Sequence, residues 1–244
     1  MNISGSGKIA AGEYNEKISV SGSGRLEGNI RCVALSCSGS VKGNGSVDCT
    51  EDVRVSGSCH IEENLIAKNI SASGAMKVGG NMKAAESVKI SGSLNCGGSV
   101  KGANISCSGS IVVGGEMSAE EIGISGRINC EGLMNAEKIE IDMSGASATS
   151  AVGSMGGSEI KVLNSKGGKA ISRMPLLKHI VGGSGSLTVK ELIEGDVVAL
   201  EYTAVPKVVG RIVAIGDGCE IDLVQYSEEI EIHPKAKVEK YEKI

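Results

Sequence analysis

A serine–glycine pair returns every 17 or 18 residues through the first half of this chain: Ser21-Gly22, Ser38-Gly39, Ser56-Gly57, Ser73-Gly74, Ser91-Gly92, Ser108-Gly109 and Ser125-Gly126. An apolar residue leads each pair by three positions: Ile18, Leu35, Val53, Ile70, Val88, Ile105 and Ile122. A fixed period of this length means a solenoid, because a single repeat cannot bury its own apolar face and only stacking closes the core.

Within one repeat the apolar residues alternate. Counting from the leading residue, positions 1 and 3 are apolar, as in Val53 and Val55 or Val88 and Ile90. Positions 7 and 9 repeat the pattern in Cys59 and Ile61 or Ile111 and Val113. Position 13 is apolar and position 15 small, as in Met82 and Ala84. Period-two alternation in three short runs predicts three strands per turn, each sending two side chains inward. Glycine at positions 5 and 11 is expected to let the backbone bend at the corners. The predicted fold is all-β, a right-handed parallel β-helix with neighbouring turns about 4.8 Å apart.

This pattern divides the chain into regular turns over 1–143 and an irregular insert over 144–186, with one strand near 159–162. A continuation of the β-helix follows over 187–244, where Val213, Ile215, Cys219 and Ile221 recur as Ile230, Ile232, Ala236 and Val238. A separate small β-domain is the alternative for the last part.

Composition removes several functions. The net charge is −4 with both signs scattered, so no basic stripe for nucleic acid is expected, and the absence of Trp and Phe removes base-stacking platforms. No apolar run is long enough to span a bilayer as a helix. The first residues do not read as a signal peptide, so the eight cysteines are expected to be reduced thiols in a cytoplasmic protein. They fall at inward positions and lack any Cys-x-x-Cys pair, which suits small buried hydrophobes better than a zinc site. His60, His179 and His233 have no adjacent nucleophile or carboxylate of recognisable motif. Gly5-Ser6-Gly7-Lys8 is half a phosphate loop and sits at the first corner, so no nucleotide site is expected there. No catalytic, cofactor or metal residue is expected.

The Ser-Gly corner repeats of residues 1–141, with short in-out strands and no catalytic insertion, resemble the bactofilins, bacterial polymer-forming cytoskeletal proteins. The stretch Ile215-Gly216-Asp217-Gly218-Cys219-Glu220-Ile221, followed by Val224-Gln225-Tyr226-Ser227, looks like the longer Gram-positive members. The resemblance implies end-to-end polymerisation without nucleotide, in support of cell shape, envelope or motility processes. The long structured C-terminal part departs from the two short tails of that family.

Self-association is expected at the solenoid ends. Ile3 and Ile9 are expected to line an open lumen at one end, joined head to head with a second copy, and Ile230, Ile232 and Val238 mark the other end. In the insert, Arg173, Leu176, Leu177, Lys178 and Ile180 mix basic and apolar character and form a candidate contact with an anionic membrane. The expected partners are further copies of the chain, with a membrane surface or envelope and motility proteins beside them. The Gly spacing of six also suits a hexapeptide-repeat acyltransferase, which is the enzymatic alternative.

Overall fold

Strands of four residues separated by tight corners can pair only with the equivalent strands of the next turn, and that is the arrangement found. The computed structural model describes residues 1–143, 150–164 and 185–244. The chain is an all-β parallel β-solenoid of about 13 turns, with no helix among the described residues. It forms two compact units, Met1–Ala119 and Glu120–Ile244.

In the first unit the register follows the repeat. On the first face Ile18, Leu35, Val53, Ile70, Val88 and Ile105 stack in one column. On the second, Val41, Cys59, Met76, Leu94 and Ile111 stack. On the third, Ile30, Val47, Leu65, Met82, Val100 and Met117 stack. All these side chains are buried. Each buried aliphatic contributes roughly 1.5–3 kcal/mol relative to exposure, so the lumen is held by many similar increments.

The corner glycines have a steric reason, not a conformational one. Among the described glycines only Gly12, Gly28 and Gly218 have positive φ, and the glycines of the Ser-Gly corners are not among them. A β-carbon on Gly57 would lie 2.0 Å from the carbonyl oxygen of Gly39, and one on Gly74 2.0 Å from that of Gly57. That carbonyl is already engaged, since Ser58 N donates to Gly39 O at 2.9 Å. The turns stack so closely at this corner that no side chain fits between them.

In the second unit Ile122, Ile139, Ile160, Val198, Val213 and Ile230 form the first column. Met134, Met155, Ile193, Val208, Val224 and Tyr241 form another. The recurrence of Val213, Ile215 and Ile221 as Ile230, Ile232 and Val238 is a true register. The strand foreseen near 159–162 is longer, running Ser150–Leu163. Gly153, Gly156 and Gly157 hide its first half from a hydropathy reading, although Val152 and Met155 are buried.

One charge pattern departs from expectation. Lys8, Arg25, Lys42, His60 and Lys77 occupy one outward column on the second face of the first unit. These residues are scattered along the sequence and become neighbours only through the stacking register.

Candidate functional site

Among the described residues, each unit has a strand edge without a neighbour that can engage a partner.

In the first unit Asn2–Ile3 pairs with Ser19–Val20, and Ser6–Tyr14 pairs with Ser23–Cys32. Among the described residues no strand lies on the other side of either. Gly5 occupies the corner position of Gly22 and Gly39, yet a β-carbon there would meet nothing within 4 Å. The place that a preceding turn's carbonyl would fill is open. Such an edge presents a row of N–H and C=O groups to pair with another strand.

The lumen at this edge is not open as expected. Ile9 is buried at 1% exposure and Ile3 is half-buried, packed over Gly7. Tyr14 stands in the column that continues as Cys32 and Cys49. Its hydroxyl donates to Ala10 O at 2.8 Å, folding the ring back along the corner at Gly12. The available feature here is therefore backbone, with Ile9 enclosed and out of reach of a partner.

In the second unit the last strand, Lys237–Lys243, pairs with Glu220–Tyr226. Glu229–Ile232 pairs with Ile212–Ile215. Among the described residues neither has a further neighbour. The columns that are sealed one turn earlier open here. Val213, Ile215 and Val224 have no exposure, whereas Ile230, Ile232 and Val238 are half-buried and Tyr241 is 58% exposed. Ile244 adds a further exposed apolar side chain. Some of the charged groups around this edge have partners within the unit: Lys237 Nζ with Glu220 Oε1 at 2.6 Å and Lys240 with Glu242 at 2.6 Å, while Gln225 Nε2 donates to Glu242 Oε1 at 2.8 Å.

The candidate membrane contact, Arg173, Leu176, Leu177, Lys178 and Ile180, lies outside the described residues, as does His179. Among the described residues no helix is long and apolar enough to cross a membrane. His60 stands in the basic column and His233 at a corner, where its Nδ1 faces the Lys235 amide at 3.3 Å. Neither is placed beside a nucleophile in the hydrogen bonds of the structure. All eight cysteines are buried and none is in a disulfide, and Cys32 and Cys49 approach to 3.4 Å between sulfurs. Burial pushes the Cys59 and Cys219 thiols up to about 12. No group of three or more His, Cys, Asp or Glu among the described residues is arranged to hold a metal.

One buried polar cluster was not legible in the sequence. Glu201 and Asn164 are fully buried at a corner of the second unit. Burial raises Glu201 to about 7, opposed by the hydrogen bond from the Asn164 amide and reinforced by the Asp217 and Asp142 carboxylates. Tyr202, next in the chain, takes a left-handed φ of 46°, and Gly218, at φ 70°, lies against its ring.

Compared with family profiles, with curated proteins and with solved structures, the chain matches none.

Proposed function

We propose that this chain is a non-enzymatic scaffold whose copies join edge to edge into nucleotide-independent filaments. This is the role that the resemblance to bactofilins implies, and it would serve cell shape, envelope or motility processes in the cytoplasm. One observation carries the reading: columns sealed at zero exposure at Val213, Ile215 and Val224 are half-buried one turn on, at Ile230 and Ile232, and exposed at Tyr241. A solenoid that works alone covers such an end with a polar cap. Here the apolar columns coincide with an unpaired backbone edge, so a second copy could bury both together. Lys237 and Lys240 at this edge are already paired with Glu220 and Glu242, so closing it would not strand those charges.

Negative-stain imaging and sedimentation velocity of the 244-residue protein test the reading. Wild type is expected to form filaments or large species as concentration rises. Two variants address the edges separately. Tyr241→Lys with Ile232→Lys places charge in the apolar contact. Gly5→Glu adds a side chain where the isolated chain has free space and a stacked partner would not. Each variant is expected to keep its β-type circular dichroism and to run as a smaller species. A wild type that stays monomeric at high concentration overturns the proposal, as does undiminished assembly in both variants.

A further inference from the structure

The basic column on the second face of the first unit starts at Lys8 on the edge strand and runs away from that edge. Its five members, Lys8, Arg25, Lys42, His60 and Lys77, follow one another through consecutive parallel registers. With neighbouring strands about 4.8 Å apart, the row is about 19 Å long. Lys8, Arg25, Lys42 and Lys77 are exposed, and His60 is half-buried. No acidic residue interrupts the column.

Its flanks differ in character. On one side runs a column of exposed hydroxyls, Ser6, Ser23, Ser40 and Ser58. Ser6, Ser23 and Ser40 with the bases Lys8, Arg25 and Lys42 line a shallow groove that also includes Gly7 and Gly24. On the other side Glu27 pairs with Lys8 at 2.8 Å and Glu62 with Lys42 at 3.7 Å. Among the described residues Arg25 and Lys77 have no ion-pair partner within 4 Å. Like charges held at this spacing repel, so an anion that threads between them relieves repulsion and releases its own counterions.

We propose that this groove, with the basic column that continues beyond it through His60 to Lys77, binds a linear polyanion of the inorganic polyphosphate class, laid along the stacking direction. The cations stand in single file, one phosphate chain wide, between hydroxyls that donate to phosphate oxygens and carboxylates that close the far side. A membrane surface would meet charge spread over the face, together with large exposed apolar residues to insert; here the cations keep to one column, and Val112, which follows Asn95 in that column, is half-buried. A nucleic acid strand would gain from aromatic rings for its bases, and the chain contains no Trp or Phe and only four Tyr. What the groove offers is dense charge and hydroxyls.

The test is a binding titration of the full chain with medium-length sodium polyphosphate at several salt concentrations. Arg25→Ser and Lys77→Ser remove the two unpaired cations from outward, exposed positions. Each should weaken binding several-fold. The double variant should lose more than tenfold and lower the slope of log affinity against log salt by about 2. Lys83→Ser removes the same charge from an exposed position on the third face and should change little. Circular dichroism confirms that the variants fold. An unchanged double variant overturns the proposal, and so does an equal loss in Lys83→Ser. Tighter binding to an RNA oligonucleotide or to phosphatidylglycerol vesicles, with the same dependence on Arg25 and Lys77, also overturns it in favour of that partner.

Discussion

The backbone amide of Asn164 donates to Glu201 Oε2 at 2.9 Å in the dry interior of the second unit. The partner oxygens are left without donors: neither Glu201 Oε1 nor Asn164 Oδ1 has a hydrogen bond. Asn164 Nδ2 meanwhile donates to Gly185 O at 3.1 Å, tying together the two described residues that flank 165–184. Two buried acceptors and no donor is a costly state. A proton on Glu201 removes the charge that burial disfavours and supplies a donor.

A pH dependence follows from that. Glu201 is raised to about 7 in the folded chain from 4.5. A carboxyl with a raised folded pKa favours the folded state when protonated, so its penalty is absent below about 4.5 and grows as pH rises towards 7. The shift corresponds to roughly 3 kcal/mol. Wild type should lose thermal stability between pH 5 and pH 8 relative to Glu201→Gln, which keeps the shape and cannot ionise. Parallel melting curves for the two proteins over that range would remove Glu201 as the cause.

The corner glycines make a sharper test of the stacking. Gly57→Ala sets a methyl group 2.0 Å from a backbone oxygen, which no rotamer can relieve. It should cost at least 3 kcal/mol or prevent folding. Gly123→Ala is the control, because a β-carbon there meets nothing within 4 Å. It should be neutral or slightly stabilising, through lower entropy of the unfolded chain. Urea midpoints for the pair check this, and equal midpoints would mean that the turns are not stacked as described.

Which parts of the fold were legible depended on how each residue contributes. Alternation at Val53, Val55 and their equivalents reveals inward positions because hydropathy is a property of single residues. The Ser-Gly repeat marks the corners for the same reason. The glycine requirement itself was misread, because the contact between Gly57 and Gly39 belongs to the space between turns. The basic column was missed in the same way. Lys8, Arg25 and Lys42 are ordinary surface residues in sequence, and only the register makes them neighbours. The repeat places Ile9 at an open end, but Tyr14 stands where later turns carry Cys32 and Cys49, and Ile9 is buried. Glu201 carried no signal at all, since a glutamate at a corner usually points to water.

The cysteines should behave as buried hydrocarbon. Reaction with a disulfide reagent needs the thiolate; burial hides all eight sulfurs and, at Cys37, Cys59, Cys96, Cys107 and Cys219, also disfavours ionisation. At pH 8 the native protein should show almost no reactive thiol, and all eight should react after denaturation in guanidinium. Rapid modification of two or more thiols in the native state would contradict the sealed lumen.

The inward and outward positions of the repeat can be separated by one charge. Ala84 is 3% exposed on the third face, in register with Ala67. Glutamate there would carry a carboxylate into a column with no donor prepared for it, and the shared lumen leaves no route to solvent. The cost is several kcal/mol, more than a marginally stable unit can absorb. Ser108 lies on the outer side of the corner beside Gly109 and is exposed. Glutamate at that position stays hydrated and should change stability by less than about 0.5 kcal/mol. Because stability in a stacked array is a sum of neighbour terms, Ala84→Glu should also loosen the turns on either side first, seen as faster amide exchange around Leu65–Ala72 and Val100–Lys101. Similar denaturation curves for Ala84→Glu and Ser108→Glu would show that the assignment of inner and outer faces is wrong.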